Sequence, residues 1–407
     1  MKCGLLGRKL GHSYSPQIHA LLGNYSYQLF EKEPEEIGDF LKNGDFTGLN
    51  VTIPYKKEVI PFLDELSPAA ARLGAVNTIV RRDGKLIGHN TDYFGFRRLV
   101  QESGLQVAGK KVLVLGSGGA SSTAVAVLQE LGAKVTVISR SGENNYENLE
   151  RHADAAVIVN TTPVGMYPNT GKSALSLDGF PRLEGVLDAV YNPARTQILL
   201  DAERRGLAAV NGLWMLVAQA KESAEWFTGE EIPDSRIAKI HHTLRLQMEN
   251  IILIGMPGCG KTAVGQQLAQ KLGKKFVDAD ESLEARVCRK ITDIIPNDGE
   301  AAFREMESET LAELGKQSGL VIATGGGCVT QPQNYPLLHQ NGTIFWLKRE
   351  LDKLPTDGRP LSQKGTLGQM YEARMPLYLR FADAAISNDG SIAETASAIC
   401  RKLEETT

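Results

Sequence analysis

Two short segments constrain this chain more than anything else in it. Lys111-Val-Leu-Val-Leu-Gly-Ser-Gly-Gly-Ala120 and Asn250-Ile-Ile-Leu-Ile-Gly-Met-Pro-Gly-Cys-Gly-Lys-Thr262 share one plan: an apolar β-rich run, a cluster of glycines, then a helical pattern. A buried parallel strand that feeds a helix through a phosphate-accepting turn reads this way. Two such openings in one chain of 407 residues imply two α/β nucleotide-binding units, and the length leaves room for two or three domains. Strand-like runs recur at 134–138, 156–159 and 185–190, with helical stretches between some of them. That alternation predicts a parallel sheet around the first glycine loop. Helices are expected over 212–227 and 234–246, the second opening at Asp234 after Pro233. No Gly/Ser-rich or Pro-rich linker precedes the second opening, so a helix is expected to run almost directly into a strand near residues 246–249.

Charge narrows the partners. Split at Met248, the first part holds 27 basic and 27 acidic residues and the second 18 and 21. Neither part gives nucleic acid an electrostatic footing, so a positive site here must be a small pocket for phosphate or carboxylate. The five cysteines, Cys3, Cys259, Cys288, Cys328 and Cys400, are odd in number and lack Cys-x-x-Cys spacing. They form neither a disulfide framework nor a zinc site, which fits a reducing compartment. The N-terminus shows no signal-peptide pattern, and no apolar run approaches the ~18 residues of a membrane span. A cytoplasmic protein without membrane or nucleic-acid partners is expected.

Gly255-Met-Pro-Gly-Cys-Gly-Lys-Thr262 is a full Walker A sequence. Backbone N–H groups at Gly258, Cys259 and Gly260 would wrap the phosphates of ATP, Lys261 would neutralise the β/γ-phosphates, and the Thr262 hydroxyl would ligate Mg²⁺. Four further pieces follow it. Asp278-Ala-Asp280 ends a predicted strand, so one carboxylate could serve Mg²⁺ and the other a hydroxyl proton. Arg304 and Glu307 stand i,i+3 on one helix face, a spacing equally consistent with a surface salt bridge. Ala323-Thr-Gly-Gly-Gly327 offers bare backbone to a ligand. Gly358-Arg-Pro-Leu361 and Glu372-Ala-Arg-Met-Pro-Leu-Tyr378 complete the set.

Over residues 249–407 this combination resembles shikimate kinase. The resemblance implies a P-loop fold of the nucleoside-monophosphate-kinase type. It implies Asp280 as the base on the acceptor hydroxyl and Asp278 beside Mg²⁺. Arg304 and Arg374 would clamp the substrate carboxylate, Gly325, Gly326 and Gly327 would line the ring, and Arg359 would come from a lid. The lid segment departs from the family pattern: it is shortened and carries no arginine between Arg349 and Arg359.

In the first part, Gly116-Ser-Gly-Gly-Ala-Ser121 is a dinucleotide turn with Ser121 in place of its third glycine. The next strand ends in Ser139-Arg140-Ser141, without the acid that an NAD site places on the ribose, so Arg140 favours NADP. Upstream lie Ser13-Tyr-Ser15-Pro16, Asn50-Val-Thr-Ile-Pro-Tyr-Lys56, Gly74-Ala-Val-Asn-Thr78 and His89-Asn-Thr-Asp92. Lys56 and Asp92 are either two surface charges or a proton-transfer pair for a carbonyl/alcohol centre.

With Asn160-Thr-Thr-Pro-Val-Gly-Met-Tyr-Pro168, Asp188-Ala-Val-Tyr-Asn-Pro193 and Gly212-Leu-Trp-Met-Leu-Val-Ala-Gln219, residues 1–246 resemble shikimate dehydrogenase. That resemblance implies an α/β substrate domain over 1–102, completed by the helices of 212–246, and a Rossmann NADP domain over 103–211. Ser13, Ser15, Thr52, Asn77, Asp92, Tyr191 and Gln219 would bind the substrate, with Lys56 and Asp92 the catalytic pair. Gly116, Gly118, Gly119, Ala120, Arg140, Thr161 and Gly212 would hold NADP(H), with Met215 beside the nicotinamide. Two departures stand out: Tyr93 where the family often has glycine, and a short stretch between Arg140 and Asn160. The two resemblances together imply a bifunctional enzyme that makes shikimate from 3-dehydroshikimate and then phosphorylates it, with a homodimer allowed. The same folds acting on quinate with NAD, or serving a non-catalytic regulator, are the alternatives.

Overall fold

Three β-sheets follow one another along the chain, in a computed structural model that describes residues 1–11, 13–354 and 367–405. The first sheet contains β1 (Lys2–Gly7), β2 (Ser26–Glu31), β3 (Gly48–Val51), β4 (Glu65–Leu66), β5 (Thr78–Arg82) and β6 (Lys85–His89), in the spatial order β2-β1-β3-β5-β6-β4. β1 runs parallel to β2 and β3, and β5 runs antiparallel to β3 and β6. β3 stops at Val51, so Thr52 and Lys56 leave its carboxyl end.

The second sheet is wholly parallel. β7 (Lys111–Leu115), β8 (Lys134–Ile138), β9 (Val157–Asn160), β10 (Gly185–Asp188) and β11 (Ala208–Val210) lie in the order β11-β10-β9-β7-β8. β9 and β10 are buried along their whole length, which is why these strands read as unbroken apolar runs and not as alternation. Between β8 and β9 the chain makes only a short 3-10 turn, Leu149–His152, as the short sequence between Arg140 and Asn160 requires. Its loop is tied by Asn148 Nδ2 donating to the Glu143 carbonyl at 2.9 Å and by His152 Nε2 meeting Asn144 Oδ1 at 3.0 Å.

Helix Asp92–Glu102 joins the first two sheets. Its Phe96, Leu99 and Val100 pack with Val112 and Val114 of β7, together with Trp214 and Met215 of helix Leu213–Thr228. The two helices touch at Gly95, where a Cβ would stand 2.6 Å from the Met215 carbonyl oxygen. A side chain at residue 95 would therefore push apart the two elements that carry Asp92 and Gln219.

The third sheet, again wholly parallel, contains β12 (Asn250–Ile254), β13 (Lys275–Asp278), β14 (Leu320–Ala323), β15 (Gly342–Lys348) and β16 (Ala384–Ser387), ordered β13-β14-β12-β15-β16. The chain divides into two compact units. Residues 1–165, 172–191 and 198–243 form the first, and residues 166–171, 192–197 and 244–407 form the second.

Helix Ser235–Met248 enters the second unit in its last turn, and Glu249 alone separates it from β12. That entry is pinned by polar contacts. The Lys274 ammonium donates to the carbonyls of Leu246, Gln247 and Glu249, and burial lowers its pKa to about 8. Asn250 is fully buried, donates to the Gln317 carbonyl at 2.6 Å and accepts from the Leu320 N–H at 2.8 Å. Asn250→Leu would take the acceptor from the Leu320 N–H and leave the Gln317 carbonyl only the 3.4 Å bond from Asn341. We expect it to destabilise the second unit by about 2–4 kcal/mol, read as a lowered calorimetric transition for that unit in the full chain. An unchanged transition would show that the pair contributes nothing.

Candidate active sites

The first site gathers at the carboxyl end of β3 and the amino end of helix Asp92–Glu102. Lys56 Nζ lies 2.5 Å from Asp92 Oδ2, and the two side chains are 27% and 14% exposed, so they are a half-buried ion pair and not two surface charges. Asp92 opens its helix, where the macrodipole favours a carboxylate. Its own N–H is held by Asn90 Oδ1 at 3.1 Å. Asn77 is buried beside them. Its Oδ1 accepts from the Thr91 N–H at 2.7 Å, and its Nδ2 donates to Thr91 Oγ1 at 3.0 Å. Gln219, from helix Leu213–Thr228, accepts from Thr91 Oγ1 at 3.4 Å. Ser13 caps the backbone N–H of Ser15 at 3.2 Å, at the start of helix Ser15–Leu22. Tyr191 meets Tyr14 edge-to-face at 6.1 Å between centroids, and burial raises the pKa of its hydroxyl. Thr52 packs on β1, its Cγ2 2.8 Å from where a Cβ of Gly7 would be.

The dinucleotide turn follows β7. Gly116 has φ +106°, a conformation closed to most side chains, and a Cβ there would lie 3.1 Å from Thr161 Oγ1. Thr161 itself donates to the Leu115 carbonyl at 2.6 Å. Nothing stands within 4 Å of Cβ positions at Gly118 or Gly119, where helix Gly119–Glu130 begins. An open glycine turn on a helix amino end fits the pyrophosphate of a dinucleotide. Gly212 caps helix Leu213–Thr228 against the Ala189 backbone: a Cβ would sit 2.1 Å from the Ala189 carbonyl oxygen. Arg140 is exposed directly after β8.

The second site is a cavity of about 440 Å³ at the carboxyl ends of β12, β13 and β14. Lys261, buried, donates to the carbonyls of Gly255 and Met256 at 2.9 and 3.1 Å. Asp278 caps helix Ala279–Val287 through Oδ1 and takes the Thr262 hydroxyl on Oδ2 at 3.0 Å. A hydroxyl and a carboxylate at the phosphate loop are hard oxygen donors and fit Mg²⁺. Asp280 stands deeper. Burial first, then the Glu307 and Asp278 carboxylates, push its pKa up to about 6. Arg304 is buried as well, with Nη1 on Glu307 Oε2 at 2.7 Å and Nη2 on Glu300 Oε1 at 3.1 Å. The surface-salt-bridge reading of Arg304 and Glu307 therefore fails: their side chains are 7% and 3% exposed. Arg374, from helix Leu367–Phe381, reaches the Gly326 carbonyl at 3.2 Å, and Tyr378 Oη meets the same oxygen at 2.5 Å.

The three glycines are each required by a different neighbour. A Cβ on Gly325 would stand 2.6 Å from Glu307 Oε1 and 2.8 Å from Asp280 Oδ1. On Gly326 it would strike Pro257 at 2.7 Å, and on Gly327 the Arg304 guanidinium at 2.2 Å. Arg359 lies outside the described residues. Sequence reasoning missed Glu307 as a member of this cavity; the signal was its i,i+3 spacing from Arg304, which alone does not report burial. It also missed Asn388, which directly follows β16 and whose Nδ2 holds the Cys259 carbonyl at 2.6 Å.

The fold and sites define a two-unit nucleotide-dependent enzyme, with a Rossmann-type dinucleotide turn in one unit and a P-loop phosphotransfer site in the other. Known proteins agree. Residues 5–79 match the family model of the shikimate dehydrogenase substrate binding domain, and residues 257–404 match that of shikimate kinase. A shikimate dehydrogenase (NADP(+)) of Clostridium perfringens is 38% identical over 264 residues, covering 60% of this chain and 97% of its own. Among solved structures, shikimate dehydrogenase 1 from Peptoclostridium difficile superposes with a TM-score of 0.55 at 38% identity, over 60% of this chain and 98% of its own. A chorismate mutase/shikimate 5-dehydrogenase fusion from Clostridium acetobutylicum gives 0.57 at 36% identity, over 60% and 96%. The chain belongs to the shikimate dehydrogenase family and carries a shikimate kinase domain behind it.

Gly327→Ala tests the second site. The methyl would displace the Arg304 guanidinium, and a misplacement of that size in a binding clamp costs about 100-fold in phosphotransfer. We expect that loss with the dehydrogenase rate of the same chain unchanged. Full kinase activity in the variant would show that Arg304 does not need its present position.

Proposed function

We propose that this chain reduces 3-dehydroshikimate to shikimate with NADPH and then phosphorylates shikimate at the 3-hydroxyl with ATP. The observation that carries the reading is that each glycine loop has its own proton-transfer group at a strand end: Lys56 with Asp92 in one unit, Asp280 in the other. Relatives named as NADP-dependent shikimate dehydrogenases and the shikimate kinase family match support it.

In the first step NADPH, when bound, supplies the hydride. Lys56 donates the proton that the ketone oxygen takes up as it becomes the alcohol, and Asp92 holds the ammonium at that oxygen. Ser13, Ser15, Thr52, Asn77, Tyr191 and Gln219 bind the ring hydroxyls and the carboxylate. Gly116, Gly118, Gly119, Ala120, Thr161 and Gly212 leave the dinucleotide room against bare backbone, and Arg140 takes the 2′-phosphate.

In the second step Asp280 accepts the proton of the 3-hydroxyl as that oxygen attacks the γ-phosphorus and ADP leaves. Lys261 and the N–H groups of Gly258, Cys259 and Gly260 stabilise the phosphoryl charge. Thr262 and Asp278 would hold Mg²⁺. Arg304 and Arg374 bind the substrate carboxylate, a match of planar guanidinium forks to a planar anion. The remaining partners in this reading are small molecules, a homodimer is allowed, and the compartment is the cytoplasm; no described helix is long and apolar enough to cross a membrane.

Two outcomes check this. Lys56→Ala should lower shikimate-dependent NADP⁺ reduction by about 100- to 10,000-fold and leave ADP release intact, whereas Lys261→Ala should do the reverse. Loss of both activities from either change would argue against independent sites. The second outcome concerns pH. Asp280 works as a base only when ionised and its pKa is raised to about 6. The kinase kcat/KM should therefore be flat above that value and fall about tenfold per pH unit below it. A kinase profile that stays flat down to about pH 4.5, the ordinary carboxylate range, would remove Asp280 from that role.

A further inference from the structure

Behind the dehydrogenase site lies a buried polar network with one hub. Ser223 is fully buried on helix Leu213–Thr228, one turn after Gln219. Its Oγ receives Asn50 Nδ2 at 2.8 Å and lies 2.8 Å from Thr78 Oγ1, 3.1 Å from Thr91 Oγ1 and 2.9 Å from the Gln219 carbonyl. Thr78 and Thr91 are fully buried too, and Asn50 nearly so. Four elements therefore meet at one hydroxyl: β3 through Asn50, β5 through Thr78, the entry to helix Asp92–Glu102 through Thr91, and the helix that carries Gln219.

The donors and acceptors can be assigned from groups of fixed polarity. The Thr91 N–H can only donate, so the Asn77 atom it meets at 2.7 Å is Oδ1 and the Asn77 NH₂ turns the other way. That NH₂ donates to Thr91 Oγ1 at 3.0 Å. The Leu216 carbonyl can only accept, so the Gln219 atom at 2.9 Å is Nε2, and Oε1 faces Thr91. The Asn77 carbonyl, 3.4 Å away, likewise fixes the Asn50 NH₂ toward Ser223. With Ser223 donating to the Gln219 carbonyl and accepting from Asn50, its second acceptor site takes the Thr78 or the Thr91 hydroxyl. These two hydroxyls also reach the amide oxygens: Thr78 meets Asn77 Oδ1 at 3.2 Å, and Thr91 meets Asn77 Oδ1 at 3.2 Å and Gln219 Oε1 at 3.4 Å. Each of the two substrate-side amides then keeps one N–H that no described protein group takes.

We propose that Ser223 is a positioning residue for substrate recognition. Through Thr78 and Thr91 its hydroxyl locks the Asn77 and Gln219 amides so that both present N–H donors to the hydroxyl oxygens of the substrate. Ser223 touches neither substrate nor cofactor; it acts by holding in place the two threonine hydroxyls that the amides meet. The inference rests on the shikimate dehydrogenase reading of this site. It follows that the hub controls the affinity for the polyol and leaves the dinucleotide site alone.

The test uses the full chain and initial rates of shikimate oxidation at saturating NADP⁺. Ser223→Ala and Thr78→Val should each raise KM for shikimate by about 3- to 10-fold, the range set by one buried hydrogen bond. KM for NADP⁺ and the kinase rate should not change. Combining the two should add little to either alone, because both remove the same link. Thr78→Ser, which keeps the hydroxyl, should restore KM to the wild-type value. A merely structural role would reduce the active fraction, lowering the maximal rate without moving KM. KM for shikimate unchanged in Thr78→Val overturns the proposal, even if Ser223→Ala fails to fold. Wild-type chain without shikimate-dependent NADP⁺ reduction would overturn the underlying reading itself, before any variant is compared.

Discussion

Both centres depend on one constraint: a charged ligand must reach bare backbone at the carboxyl end of a parallel strand. A helix amino end offers N–H groups and half a positive charge only if nothing stands in front of it. Gly116 after β7 and the glycines after β12 keep those fronts clear, and the positive φ of Gly116, Gly258 and Gly260 would strain most other residues. Everything else in the sites is arranged around that geometry. The parallel sheets bring the other strand ends to the same edge, so Thr161 stands by the first loop and Asp278, Asp280 and Gly325–Gly327 by the second.

The two units differ in how they handle buried charge. In the dehydrogenase site a single pair, Lys56 and Asp92, is largely buried and balanced one to one. In the kinase site, Asp278, Asp280 and Glu307 face Lys261, Arg304 and Arg374 in one cavity. Burial raises the pKa values of Asp280 and Glu307, with repulsion from Glu307 and Asp278 added at Asp280 and from Glu300 at Glu307, while among the described residues Arg304 holds one Glu307 oxygen and leaves the other, Oε1, without a hydrogen-bond partner. Such a site holds a carboxylate of raised pKa beside a guanidinium, Arg304, that Glu300 and Glu307 of its own helix already pair.

Much of this was legible in the sequence because short-range chemistry sets it. The two loops, the β3 terminus before Lys56, the carboxylate pair after β13 and the glycine triplet after β14 are all local patterns with fixed consequences. Other features depend on which elements meet, and no local signal reports that. Asn50, Thr78, Thr91 and Ser223 are ordinary polar residues in the chain, separated by up to 173 positions, and only the packing of one helix on one sheet makes them a network. The same holds for Gly95, Gly327 and Asn250, whose identities follow from a neighbour's carbonyl, a guanidinium or a backbone N–H brought in from elsewhere. The burial of Glu307 is likewise set by its neighbours in the cavity, Arg304 and the Gly325 backbone, and not by its local sequence.

The central claim is that one polypeptide makes its own kinase substrate. The direct measurement supplies the full chain with 3-dehydroshikimate as the sole acceptor, NADPH, ATP and Mg²⁺, and follows NADPH oxidation and ADP release together. The account predicts that ADP appears only when NADPH is present and that the two amounts become equal at completion. ADP release without NADPH, or NADPH oxidation with no ADP to follow, would contradict it.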